Sequence, residues 1–315
     1  MVVTRPEAHS AAPATPRAAT FTDYVELVAV SALWGSAFLC NALALVDFSP
    51  LEVAGWRLFL ASIGFIAVLR FTGLSLPRDG RSLRLLLAIG ALNGAIPFVL
   101  IGWGQEQVAS STTGILIATS PFATLLIAHF SRVGERITLM RLMGLALGFA
   151  GVVVLFGGGD TSSGSEPLRM VAICVAACCY AWSAVLIRKL SGVPNLVIVT
   201  GTVLGASVLL LPAMLWFAPP WQVSASIPAL LAVLFLAIGP TGIAYLVRTR
   251  LVQRNGPVFM SSAGYLIPLF AVLWGWLFLG EQPGLRTFAA LLLILGGIAV
   301  SQWHSYTRRP HSTAR

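Results

Sequence analysis

The sequence predicts an all-α membrane protein: ten transmembrane helices forming an inverted repeat of two five-helix units, with both termini cytoplasmic. Three observations carry that prediction: a composition poor in charge, a series of long apolar runs, and a lopsided distribution of arginine. Of the 315 residues, 57% are hydrophobic and 10% charged, and the mean hydropathy is +0.87. A soluble globule of this size could not cover itself with polar surface from such a composition. The apolar runs are continuous rather than alternating, which excludes a β-barrel, and they leave no room for a soluble catalytic domain.

Residues 1–22, mostly Ala, Pro, Thr and Ser with scattered charge, read as a disordered cytoplasmic tail. A full-length apolar segment follows that tail, so it is not the short core of a signal peptide and is expected to stay in the mature protein. A hydrocarbon core about 30 Å thick needs roughly 20 apolar residues per helix. Polar and Gly/Pro breaks then place spans near 24–45, 51–70, 84–104, 111–131, 138–157, 168–188, 195–217, 227–247, 258–279 and 285–303. The first repeat covers 23–157, the acidic Gly/Ser-rich linker 158–167, the second repeat 168–303, and a basic cytoplasmic tail 304–315.

With the amino terminus in the cytoplasm, 17 of the 20 Lys and Arg residues fall on the cytoplasmic side. Arg169 and Arg286 remain outside and Arg57 lies within a span. Such a bias is the topology signal of multi-pass proteins. The net charge of +9 is spread singly or in pairs, with no basic stripe interleaved with aromatics, so nucleic acid is not the expected partner. Cys174, Cys178 and Cys179 are bunched inside an apolar run, without the spacing of a disulfide framework or a zinc site. They read as packing residues, and no metal or cofactor is expected.

The two halves resemble each other. Ser120–Phe156 has a counterpart in Ile267–Gln302: Pro121 matches Pro268, Gly134-Glu135 matches Gly280-Glu281, and Gly151 matches Gly297. Ser36-Ala37 likewise answers Ser183-Ala184, 147 positions later. Because five spans is an odd number, the second copy enters the membrane with the opposite orientation, as in many secondary transporters that rock two halves about a midplane site.

The LWGSAF segment from Leu33, LEVAGWRLFLAS from Leu51, and the two Pro-containing helices followed by Gly-Glu and a Gly-rich helix are similar to the EamA-type members of the drug/metabolite transporter superfamily. The resemblance covers about residues 24–303. It implies export of metabolites or amino acids across the cytoplasmic (inner) membrane by alternating access around a central cavity, and it names no single substrate.

Ionisable residues inside spans are costly and are the first candidates for function. Arg57 either holds a substrate carboxylate or counter-ion, or snorkels to the outer interface or bonds carbonyls of a neighbouring helix. Glu52 lies at the outer boundary, Glu106 at the outer end of the third span, and His129 near the cytoplasmic end of the fourth. Each is a coupling candidate beside a plainer reading as an interfacial or solvated side chain. Asp23 and Glu26 read as helix-end charges.

Neutral polar and aromatic groups suit a substrate pocket better, since pockets are mostly apolar with a few directed polar groups. In the first repeat these are Trp34, Ser36, Asn41, Asn93, Thr113 and Ser120. In the second they are Tyr180, Trp182, Ser183, Tyr245, Ser261, Ser262 and Tyr265. Trp34 and Asn41, seven apart, share one helix face about 10 Å long. Pro121 and Pro268, duplicated by the repeat, are gating candidates among the five prolines able to bend spans. The stripes Gly144, Gly148, Gly151 and Gly296, Gly297 permit close helix approach, either as scaffold or as the seam of a homodimer.

No HExxH motif or clustered nucleophile and base supports an intramembrane enzyme. The expected function is a secondary transporter exporting small metabolites, most simply amino acids or their derivatives, with proton exchange as one driving force. A passive facilitator and a non-transporting membrane sensor stay open as alternatives.

Overall fold

The computed structural model describes residues 19–130, 138–157, 166–219 and 224–307. The first 18 residues, residues 131–137 with the Gly-Glu turn at Glu135, most of the linker, and the tail from 308 lie outside the described residues. Within them the regular structure is helical. The first half comprises α1 (Phe21–Ala44), α2 (Pro50–Phe71), α3 (Gly80–Gly90), α4 (Ile96–Gln105), α5 (Ser110–Ile117), α6 (Ser120–Phe130) and α7 (Leu139–Phe156). The second comprises α8 (Glu166–Ile187), α9 (Asn195–Phe217), α10 (Ile227–Leu236), α11 (Ala244–Ser261), α12 (Ala263–Leu279) and α13 (Leu285–Thr307).

Nine helical stretches among the described residues are long and apolar enough to cross a membrane, and Leu285–Ser301 adds a shorter apolar one. The protein is a multi-pass membrane protein. Two helix ends depart from the expected spans for identifiable reasons. The third stretch begins at Gly80 because Asp79 caps it, its carboxylate accepting the Ser82 amide at 2.8 Å. The eighth does not stop at 247 but continues past Arg248 and Arg250 to Gly256, whose φ of 85° breaks the helix. Arg254, on this extension, lies 3.5 Å from Glu26 and 3.9 Å from Asp23 at the start of α1.

Helix entries are set by local chemistry. Thr20 with Asp23, and Ser49 with Glu52, form reciprocal capping boxes, the second reinforced by Pro50 in the first turn. Two helices are interrupted by a wide turn. A π-helical segment, Ala91–Ala95, joins α3 to α4 just before Pro97. A second, Ala237–Ile243, joins α10 to α11 and contains Pro240. Such segments misalign the helical ladder and free backbone groups. By contrast α12 runs through Pro268 without a break, while Pro121 follows the turn that separates α5 from α6.

Packing joins the halves. α1 lies against α12, α2 against α9, α4 against α8, and α7 against α13. The glycine stripe belongs to the last of these seams: a Cβ on Gly144 would sit 2.5 Å from the Gly297 carbonyl oxygen. Only the missing side chains let these two backbones meet. The outward faces carry large apolar side chains, including Phe149 and Leu292, 66% and 71% exposed, as a lipid-facing surface requires.

Candidate functional site

A cavity of about 520 Å³ lies between the two halves, within the size range of sites for small organic molecules. Its wall is built from α1, α2, the first π segment, α4 and the α5–α6 turn of the first half, and from α8, α9, α11 and α12 of the second. Seven of the expected residues line it: Trp34, Asn41, Arg57, Asn93, Ser120, Tyr180 and Tyr245.

The aromatic end is organised around the second π segment. The Trp34 indole N–H donates to the Pro240 carbonyl oxygen at 3.1 Å, an acceptor on the irregular backbone of that segment. Trp34 meets Tyr245 edge to face, ring centroids 6.0 Å apart. Asn93, on the first π segment, donates its amide to the Tyr245 hydroxyl at 3.2 Å and accepts from the Ser183 hydroxyl at 3.1 Å. One short polar chain therefore links the first π segment to α8 and α11 through Asn93.

Arg57 is the buried charge of the site, 9% exposed. Its Nε donates to Thr241 Oγ1 at 2.7 Å, and that hydroxyl in turn donates to the Leu236 carbonyl. The guanidinium lies over the Phe98 ring, 3.9 Å from the centroid. Arg57 therefore sits in the wall between the halves and does not snorkel. At one end of the cavity Asn41 donates to Gln105 Oε1, and Gln105 donates to the Phe38 carbonyl, both at 2.9 Å. Nearby, the Glu281 carboxylate accepts the backbone amides of Ser110 and Ser111 at 2.7 and 3.0 Å, clasping the α12–α13 turn onto the start of α5.

The other candidates lie elsewhere. Ser36 and Thr113 donate to carbonyls of their own helices. Trp182 is 47% exposed on the outer surface, and Ser183 stands behind Asn93. Ser261 and Ser262 mark the α11–α12 junction, and Tyr265 packs partly buried against a core cluster that includes Phe122 and Val272. Glu52 puts Oε2 into its capping box with Ser49, while its buried Oε1 has no hydrogen-bond partner among the described residues, and it does not line the cavity. Glu106 pairs with Arg169, whose guanidinium also covers the Trp103 ring. His129 is on α6, but its side chain lies outside the described residues.

Sequence reasoning missed Phe98, Thr241, Thr202 and Arg248. A signal for Phe98 was available: it precedes Tyr245 by the same 147 positions that separate the repeated Ser-Ala pairs. Thr241 gave none, because its role depends on a partner 184 positions away.

The profile of the EamA-like transporter family matches residues 24–157 and again residues 168–302. An S-adenosylmethionine/S-adenosylhomocysteine transporter of Chlamydia muridarum is 30% identical over 87% of this chain and 91% of its own length. The inner membrane transporter YedA of Escherichia coli K12 is 28% identical over 86% of this chain and 90% of its own. The Bacillus subtilis transporter YoaV is 24% identical over 90% and 97%. A solved crystal structure superposes with a TM-score of 0.66 at 21% identity, covering 92% of this chain and 99% of that one, and agrees in fold. With the family profile matched twice across nearly its whole length, this chain belongs to the EamA-like transporter family.

Proposed function

We propose that this protein is a secondary transporter that exports small metabolites, amino acids or their derivatives, across the cytoplasmic membrane by alternating access around the cavity between its halves. Ten spans in an inverted five-plus-five arrangement, with both termini cytoplasmic, are the topology this reading requires. The observation that carries it is the cavity itself, walled by both halves and flanked by two π-helical segments that recur at nearly the repeat spacing. Paired weak points of this kind suit two halves that rock about a shared site. The substrate is moved and not altered, so the protein is not an enzyme on this reading.

The direction of opening follows from the lining. The wall reaches Ile187, Arg248 and Val252 at one end, the end to which the arginine bias assigns the cytoplasm. The other end is tied by the Asn41–Gln105 and Glu281–Ser110 bonds, which supports reading the conformation as inward-facing. The Chlamydia relative, named for cargo that is itself derived from an amino acid, supports substrates of that size and kind. A passive facilitator is the second reading, favoured by the absence of any carboxylate among the described residues lining the cavity.

The test is flux of a panel of amino acids, nucleosides and small acids into liposomes containing the purified protein, with and without a proton gradient. Saturable flux accelerated by a pH step supports the coupled exporter, and saturable flux indifferent to pH supports the facilitator. Folded protein that moves none of the panel overturns transport of these classes.

A further inference from the structure

The cavity has an unbalanced charge. Arg57 and Arg248 both line it, and no acidic side chain does among the described residues. Arg248 makes no hydrogen bond or ion pair among the described residues. Arg57 has one neutral hydrogen-bond acceptor, Thr241, and no carboxylate partner among the described residues. Its titratable neighbours among the described residues are Tyr180, Tyr245 and Cys40, none of them a carboxylate. A cation at membrane depth is ordinarily matched by an opposite charge, because leaving it unmatched in a low-dielectric wall is costly.

The geometry also says how that charge is presented. Thr241 occupies Nε and Phe98 covers one face of the guanidinium. The two terminal nitrogens are left without an acceptor among the described residues, an end-on fork matched to one planar oxyanion. The same cavity is lined by the aromatic pair Trp34 and Tyr245. Thr202, which also lines the cavity and is 6% exposed, has a hydroxyl with no hydrogen-bond partner among the described residues. A buried polar atom left unpaired points to a bound group that completes it.

Resting on the transporter reading above, we infer that the substrate is a net-anionic organic acid, its carboxylate seated end-on at Arg57 and its apolar body against Trp34 and Tyr245. The missing counter-charge of Arg57 is the substrate itself. Among the metabolites and amino-acid derivatives of the transporter reading, this selects those without a free ammonium: the described lining offers two arginines, and no carboxylate for a cation or for the ammonium of a zwitterion.

The experiment measures binding to the full-length purified protein in lipid nanodiscs, using four molecules of matched shape: 3-phenylpropanoate, 3-phenylpropanamide, phenylalanine and phenethylamine. The acid is expected to bind about 10-fold or more tightly than its neutral amide, as loss of one charge-assisted pair implies, with phenethylamine weakest. Arg57→Gln is expected to abolish the preference of acid over amide, and Arg57→Lys to retain part of it. Should Arg57→Gln fail to fold, the ranking on the unaltered protein still decides. Tighter binding of phenylalanine or phenethylamine than of the acid overturns the inference, as does failure of the acid to bind at millimolar concentration. Acid that binds but is never transported in liposomes counts against the transporter reading and leaves the charge preference standing.

Discussion

Arg57 on α2 and Thr241 in the second π segment, 184 positions apart, are joined by a 2.7 Å hydrogen bond from the guanidinium Nε to the hydroxyl. The bond crosses between the halves and fixes which nitrogens of the arginine face the cavity. Because the threonine hydroxyl also donates to the Leu236 carbonyl, it is oriented as an acceptor toward Arg57. Thr241→Val keeps the shape and removes that acceptor. A hydrogen bond to a charged group contributes roughly 1.5–3 kcal/mol, so Thr241→Val is expected to lower the melting temperature in detergent by a comparable loss, and Thr241→Ser to recover most of it. Equal melting of all three proteins would show that the bond carries no weight.

The glycine stripe gives a prediction about stability alone. A Cβ on Gly144 would lie 2.5 Å from the Gly297 oxygen and 2.7 Å from the Ser301 backbone nitrogen. Neither backbone atom can move aside as a flexible side chain would. Gly144→Ala is therefore expected to cost about 1–3 kcal/mol, the range for overpacking a tight seam, read as reduced thermal stability without a change in substrate ranking. An unchanged melting curve would place α7 and α13 farther apart than described.

Trp34 and Tyr265 separate two kinds of aromatic residue. Trp34 lines the cavity and is held by the Pro240 carbonyl, whereas Tyr265 packs against a core cluster away from it. Trp34→Ala is expected to lower kcat/KM by roughly 10-fold or more, the scale of one lost substrate contact, at near-normal abundance. Tyr265→Ala is expected to reduce abundance or melting temperature and to leave the substrate ranking intact. A ranking that shifts only in Tyr265→Ala would move the site to the α12 side.

Acid sensitivity is expected at the loop between α1 and α2. The side chain and then the backbone amide of Ser226 donate to the Asp47 carboxylate and hold it below the ordinary carboxylate range. A depressed folded-state pKa means that the contact contributes fully above the unfolded value, about 3.9, and is lost as pH falls through the folded value. Melting of the native protein and of Asp47→Asn should therefore differ at pH 6 and converge only below about pH 4. Convergence at higher pH would contradict the pairing.

The span pattern was legible in the sequence because hydropathy and chain length are local properties. Each apolar run had to be near 20 residues to cross a hydrocarbon layer, and the helices follow those runs closely. The exceptions arise where a local rule competes with hydropathy. Asp79 starts a helix four residues early by capping it, and α11 runs on to Arg254, which pairs with Glu26 and Asp23 of α1.

The site was half legible. Trp34 and Asn41 could be placed on one face of one helix from their spacing, and both line the cavity. Glu52 and Glu106 stood out for carrying charge, but their partners, Ser49 and Arg169, engage them away from it. Ser36 and Thr113 looked equally suitable, yet small hydroxyls close onto the carbonyl one turn back whenever no other acceptor is nearer.

The sequence by itself determined that the chain is a membrane-embedded helical protein with two related halves, because burial in lipid constrains each segment independently of its neighbours. Only the tertiary structure decided that Arg57 faces Thr241 and Phe98 with no ion-pair partner among the described residues, that Asn93 joins the first π segment to α8 and α11, and that the Gly144 stripe belongs to an internal seam. Those outcomes depend on which helices meet and at what rotation, a property of pairs of segments far apart in the chain, set by side-chain packing that no single segment encodes.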